Sequence, residues 1–148
     1  MEERNRVRNA WVLCAAWMAV IFFMSAMSGE DSGEQSGFIV QILLTILPWI
    51  ENVIPALELF VRKGAHMLEF AVLFFLYRRA LFLSGKKHAG VLAFGLTVFY
   101  AATDEFHQMF VPGRGPALTD VAIDGCGALL AWGALRLKDK IKAGVNVE

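Results

Sequence analysis

Five ionisable residues lie inside or at the lip of apolar helical runs in this chain: His66 and Glu69, Asp104, and Asp120 and Asp124. A charge at the centre of a membrane span costs roughly 3 kcal/mol on insertion scales, so a side chain placed there needs partners or a task. Any fold for this chain must bring these groups together, because isolated in lipid or in an apolar core each would be destabilising.

The 148 residues are 57% hydrophobic and only 19% charged, and the mean hydropathy is +0.51. These values lie outside the usual composition of soluble globular domains and fit one small membrane domain. Formal net charge is zero. The basic residues are clumped beside the apolar runs, so they bear on membrane orientation and not on nucleic acid, which is not expected as a partner. Cys14 and Cys126 fall in opposite halves of the expected bilayer, so a disulfide would need them to meet across it.

The first apolar run, residues 10–27, is long enough at about 1.5 Å per residue to cross a hydrocarbon core. It follows Arg4, Arg6 and Arg8 and ends in Ser25-Ala26-Met27-Ser28-Gly29. That ending also suits a signal-peptide cleavage region, with small residues at the cut. A polar, acidic stretch from Ser28 to Gly37 reads as a loop. Ile39, Ile42, Leu43, Ile46, Leu47 and Ile50 then recur at helical spacing. This 38–50 segment is too short to span and reads as an interfacial amphipathic helix, disturbed by Pro48 and anchored by Trp49. Further helices are expected at 58–83, with Pro55 and Glu58 suited to its first turn and Ser84-Gly85 as its stop, at 89–107 and at 117–137. Pro112-Gly113 has turn composition, and the tail after Lys138 reads as frayed.

The expected fold is therefore all-α: a single domain over 1–148, an integral membrane four-helix bundle with a short extracytoplasmic amphipathic helix. Eleven of the 14 lysines and arginines precede helix one, lie between Arg78 and Lys87, or occur from Arg136 onward. Only Arg62, Lys63 and Arg114 fall on the other side. That asymmetry predicts a multi-pass cell-membrane protein with both termini in the cytoplasm and the polar cluster in the outer leaflet.

On a helix His66 and Glu69 share one face, about 4.5 and 9 Å below Lys63 by rise alone. Asp104 and Asp124 fall at a comparable depth on their own helices, with His107 and Asp120 roughly a turn nearer the surface. Gly127, Ala128 and Ala131 let another backbone approach closely, and this stripe is also a candidate homodimer contact. Two imidazoles with several carboxylates suit proton transfer or a divalent ion, although no spacing singles out a metal. No His-Glu-x-x-His or Gly-x-Ser-x-Gly pattern occurs. The competing reading is a purely structural network of Arg62, Glu69, Arg114, Asp104 and Asp124 that locks helices together. Arg114 suits bidentate recognition of a phosphate or carboxylate, or simple neutralisation of Asp120. Glu105 points about 100° away from Asp104 and fits a solvated rim, while Gln108 shares the Asp104 face.

Arg62-Lys63-x-x-His66-x-x-Glu69, then Asp104-Glu105-x-His107-Gln108 running into Phe110-Val111-Pro112-Gly113-Arg114, then Asp120-Val121-x-x-Asp124-x-x-Gly127 resemble the VanZ-like family in order and spacing. So does Phe22-Phe23-Met24-Ser25 before a Ser-, Gly- and Glu-rich stretch. Members of that family are small bacterial membrane proteins, and the founding one is associated with resistance to teicoplanin, a lipid-tailed glycopeptide. Two positions depart from the family pattern: Phe70 stands where tyrosine is common, and Ser25-Ala26-Met27-Ser28 replaces a Ser-Ser-Gln type of ending, which leaves open what helix one gives the site.

The resemblance implies a polar site of His66, Glu69, Asp104, Glu105, His107 and Asp124 without assigned steps, with Arg62, Gln108, Arg114 and Asp120 as ligand contacts. It implies a role in the bacterial envelope, in tolerance of lipoglycopeptides, with a membrane lipid, a lipid-linked envelope component or the lipoglycopeptide itself as ligand. The alternative is an intramembrane hydrolase or transferase, metal-assisted or not, acting on a lipid-linked headgroup. An anion or proton pathway ranks last, since four helices are few and no paired broken helices occur.

Overall fold

A computed structural model describes residues 1–47, 49, 54–115 and 117–145. Five helices follow one another: α1 (Glu2–Ser25), α2 (Gly29–Ile46), α3 (Ile54–Leu83), α4 (Ala89–Gln108) and α5 (Leu118–Val145). Among the described residues there is no strand. Helix α3 is the axis. The other four all pack on it, α5 also packs on α4, and α1 touches α4 lightly.

The core is thin and built largely of small residues. Phe70, Leu73, Phe74 and Ala80 of α3 are fully enclosed by Ala10, Cys14 and Ile21 of α1, Ala93 and Ala101 of α4, and Ala128 and Ala131 of α5. At Gly127 a Cβ would fall on the Met67 carbonyl, so α3 and α5 meet backbone to backbone. The small-residue stripe of α5 thus packs within the chain. Polar ring groups stitch α1 to its neighbours: Trp17 Nε1 donates to the Glu69 carbonyl at 3.0 Å and Tyr100 Oη to the Met18 carbonyl at 2.7 Å.

Large apolar side chains point outward instead. Phe23, Phe60, Phe82, Phe99, Phe106, Leu130 and Leu137 are all more than half exposed. An apolar exterior around a small-residue interior is unfavourable in water and suits lipid. Two helices, α1 and α5 over Leu118–Ala143, are long and apolar enough to cross a membrane. In α3 and α4 the apolar run is interrupted by Arg62, Lys63, Glu69, Asp104 and Glu105.

Several sequence expectations need correction. The acidic stretch after Ser28 is helix and not loop, because Ser28 Oγ accepts the Asp31 amide at 3.1 Å and Glu30 and Asp31 sit where the helix dipole favours anions. The amphipathic helix therefore runs from Gly29 to Ile46, and not over 38–50. Trp49 is exposed beyond its end, while Pro48 and Ile50 lie outside the described residues. Helix α1 begins at Glu2 and stops at Ser25, with Ala26 as its C-cap. Helix α3 starts earlier than 58, at Ile54. Helix α5 continues past 137 to Val145, since Lys138 to Lys142 are good helix formers and Asp139 lies 3.9 Å from Arg78. At the end of α3 the expected stop holds: Gly85 has φ +72°, and the Lys86 amide bonds back to the Leu81 carbonyl at 3.0 Å.

Candidate functional site

Helix α3 carries Arg62, Lys63, His66 and Glu69 up the end of the bundle where the α4–α5 loop closes. That loop is fixed by backbone geometry. Gly113 adopts φ +73°, and a Cβ on Gly29 would fall on the Gly113 carbonyl. The Gly29 amide donates to the Pro112 carbonyl at 3.0 Å, and Arg114 Nε donates to the Met27 carbonyl at 3.2 Å. The loop between α4 and α5 is thereby clasped to the turn between α1 and α2. Glu105, from α4, accepts the Ala117 amide at 2.6 Å and holds the loop's other end. Pro116 lies outside the described residues.

Beneath the loop is a cavity of about 400 Å³. One side carries Arg62, Lys63 and His66, the other Asp120 and Asp124, and Glu105, Gln108 and Arg114 complete it. A smaller cavity of about 70 Å³ adjoins it, sharing Arg62, His66 and Arg114 and adding Glu69 with Ser32, Gln35 and Ser36 of α2. Behind the larger cavity lies a buried polar layer. Ser25 Oγ donates to Asp104 Oδ2 at 2.7 Å, and Gln108 Nε2 reaches the same oxygen at 3.1 Å.

Lys63 forms an ion pair with Asp120, both about one third exposed. His66 Nδ1 stands 3.9 Å from Glu69 Oε2, beyond hydrogen-bond distance, and Arg62 Nε, Glu69 Oε2, Asp104 Oδ1 and His107 Nε2 are buried without a hydrogen-bond partner among the described residues. Arg114 is held below the usual arginine pKa, first by burial and then by the nearby Arg62 guanidinium, against the pull of Asp104, Glu105 and Glu69. Guanidinium remains charged under such a shift. Two cationic forks therefore flank both cavities, an arrangement suited to an anionic group.

Seven of the ten residues singled out from the sequence line the large cavity: Arg62, His66, Glu105, Gln108, Arg114, Asp120 and Asp124. Glu69 lines the small one. Asp104 lines neither and instead orients Gln108 from behind. His107 turns away: its ring stacks on Phe22 of α1, with centroids 4.3 Å apart. Glu105 is not a solvated rim residue, being only 7% accessible with its carboxyl on the Ala117 amide. Arg114 does not neutralise Asp120, whose ion-pair partner is Lys63. Among the described residues no three His, Cys, Asp or Glu side chains come together as a donor set for a metal ion.

Ser25, Lys63 and the α2 residues escaped the sequence reading of the site. Ser25 is a small residue at a helix end with nothing in its neighbours to mark a buried partner. For α2 the signal was present in Ser28-x-x-Asp31, a helix start.

Fold and site define an all-helical protein with an apolar exterior and a polar cleft at one end, cationic on one side and acidic on the other. The chain matches VanZ/LLP1 over residues 10–139 and belongs to that family. No curated protein and no solved structure matches the chain.

Proposed function

We propose that this protein is a multi-pass membrane protein of the bacterial envelope that contributes to tolerance of lipoglycopeptides such as teicoplanin, through the cleft beneath the α4–α5 loop. In this reading α1, α3, α4 and α5 cross the membrane, both termini lie in the cytoplasm, and α2 rests on the outer surface. Membership of the VanZ/LLP1 family, two long apolar helices and the lysine and arginine asymmetry support that orientation.

The observation that carries the reading is the cavity of about 400 Å³ into which Arg62, His66, Arg114 and Asp124 converge from three segments. A purely structural lock would pair its charges internally, yet Arg62 Nε and Glu69 Oε2 are buried without hydrogen-bond partners among the described residues. Such groups are costly unless they serve a ligand. The site acts either on the drug itself or on the lipid-linked component the drug needs.

Teicoplanin and vancomycin susceptibility of a sensitive Gram-positive host carrying wild-type protein, Glu69→Gln or an empty vector tests this. Protection by wild type that is greater for teicoplanin and lost in Glu69→Gln, at equal membrane abundance, is the expected result. Protection by both proteins would make the polar cluster structural. Protection by neither would remove the tolerance role.

A further inference from the structure

The hydrogen-bonding groups around the large cavity can be matched against one another. Asp120 is taken by Lys63, and Glu105 is taken by the Ala117 amide. Arg114 uses Nε on the Met27 carbonyl, which leaves both its terminal nitrogens without a hydrogen bond among the described residues. Arg62 Nε is likewise buried with no hydrogen-bond partner among the described residues. On the α5 side Asp124 lines the cavity and likewise has no hydrogen-bond or ion-pair partner among the described residues. Among the described residues, then, two guanidinium groups keep unused donors toward α2 and the loop, where Glu69 brings an unbonded carboxyl oxygen to the adjoining cavity, and one carboxyl stays unpartnered on α5.

From these unused donors and this unpartnered carboxyl we infer that the cavity takes a headgroup bearing a phosphate and a primary ammonium together, as in phosphoethanolamine, with phosphate on Arg62 and Arg114 and ammonium on Asp124. The inference deepens the functional reading of the same cavity and rests on that cavity being the functional site. Guanidinium forks match phosphate oxygens bidentately, and a buried carboxyl matches an ammonium's donors. A phosphate without the ammonium leaves Asp124 unmatched, and a quaternary ammonium offers it no N–H donor. Leu59 and Ile123 add an apolar margin to the lining, which suits the glycerol end of a lipid.

Purified protein in a non-ionic detergent would be titrated calorimetrically with short-chain phosphatidylethanolamine, phosphatidylglycerol and phosphatidylcholine, and with free phosphoethanolamine. One-to-one binding of the ethanolamine lipid is expected, about tenfold tighter than of the other two lipids. Asp124→Asn, which keeps shape, should remove that preference, and Arg114→Gln should weaken every phosphate ligand about tenfold while Arg114→Lys restores most of it. Helical circular dichroism and the melting temperature confirm that each variant is folded, and a misfolded Asp124→Asn would be replaced by Asp124→Ser. Free phosphoethanolamine binding as tightly as the lipid supports the two-pole site and assigns its ligand to the soluble source. Equal affinity for all three lipids, or a preference that survives at Asp124→Asn, overturns the inference. Drug susceptibility is read separately, so a protein that binds the headgroup without giving tolerance defeats only the functional reading.

Discussion

Ser25 at the last turn of α1 donates a 2.7 Å hydrogen bond to Asp104 of α4, 79 residues away in sequence, and both side chains are buried. The bond fixes the carboxyl that in turn receives Gln108, a cavity residue. Helix one, whose contribution to the site the sequence left open, supports the cleft from behind.

Ser25→Ala should therefore destabilise the protein by about 1–3 kcal/mol, because a donor to a buried carboxyl is lost and the acceptor is left short. A melting curve in detergent would show a fall of roughly 5 °C. An unchanged melting temperature would mean that Asp104 finds another donor.

Two helical glycines should answer oppositely to alanine. At Gly127 the added methyl falls on the Met67 carbonyl, so α3 and α5 must separate, and a loss of about 2 kcal/mol or more is expected. Gly64 has nothing within 4 Å, and alanine there should stabilise α3 by about 0.5–1 kcal/mol. The ranking of the two melting temperatures checks both, and equal values would contradict the close approach.

Glu105 acts through the Ala117 amide, so removing the acceptor should loosen the loop without emptying the bundle of its core. Glu105→Ala is expected to accelerate proteolysis between Met109 and Leu118, whereas Glu105→Gln, which keeps a carbonyl acceptor, should change it little. Cleavage patterns resolved by mass spectrometry distinguish the two.

The two histidines should separate in function. His107 stacks on Phe22 and lines neither cavity, so His107→Phe should retain drug tolerance. His66 borders both cavities, and His66→Phe should lose it. If His107→Phe abolishes tolerance at normal membrane abundance, the cleft boundary drawn here is wrong.

Apolar periodicity and turn residues mark the long helices, and the matching helical depths of His66 and Asp124 agree with the one cavity that both line. The register of His107 was misjudged for a geometric reason: one residue of helix is about 100°, and Glu105, Asp104 and His107 thus face three different neighbours. Apolar spacing alone shortens helix α2, whose true start is marked by the Ser28 cap on the Asp31 amide. Pairings between distant segments, such as Ser25 with Asp104 or Gly29 with Gly113, were not legible, since each depends on how helices dock and not on local sequence.

Helix α3 is both the shaft on which the other four helices are mounted and the cationic wall of the cleft. Remodelling that wall disturbs joints throughout the protein, because Met67 and Phe70, neighbours of His66 and Glu69, are themselves pressed against α5 and the core. The opposite bank carries Thr119 and Ile123 of α5 into the same cavity, and neither makes a side-chain hydrogen bond among the described residues. New ligand preferences are therefore most readily engineered at those two positions, with the shaft and the clasped loop left untouched.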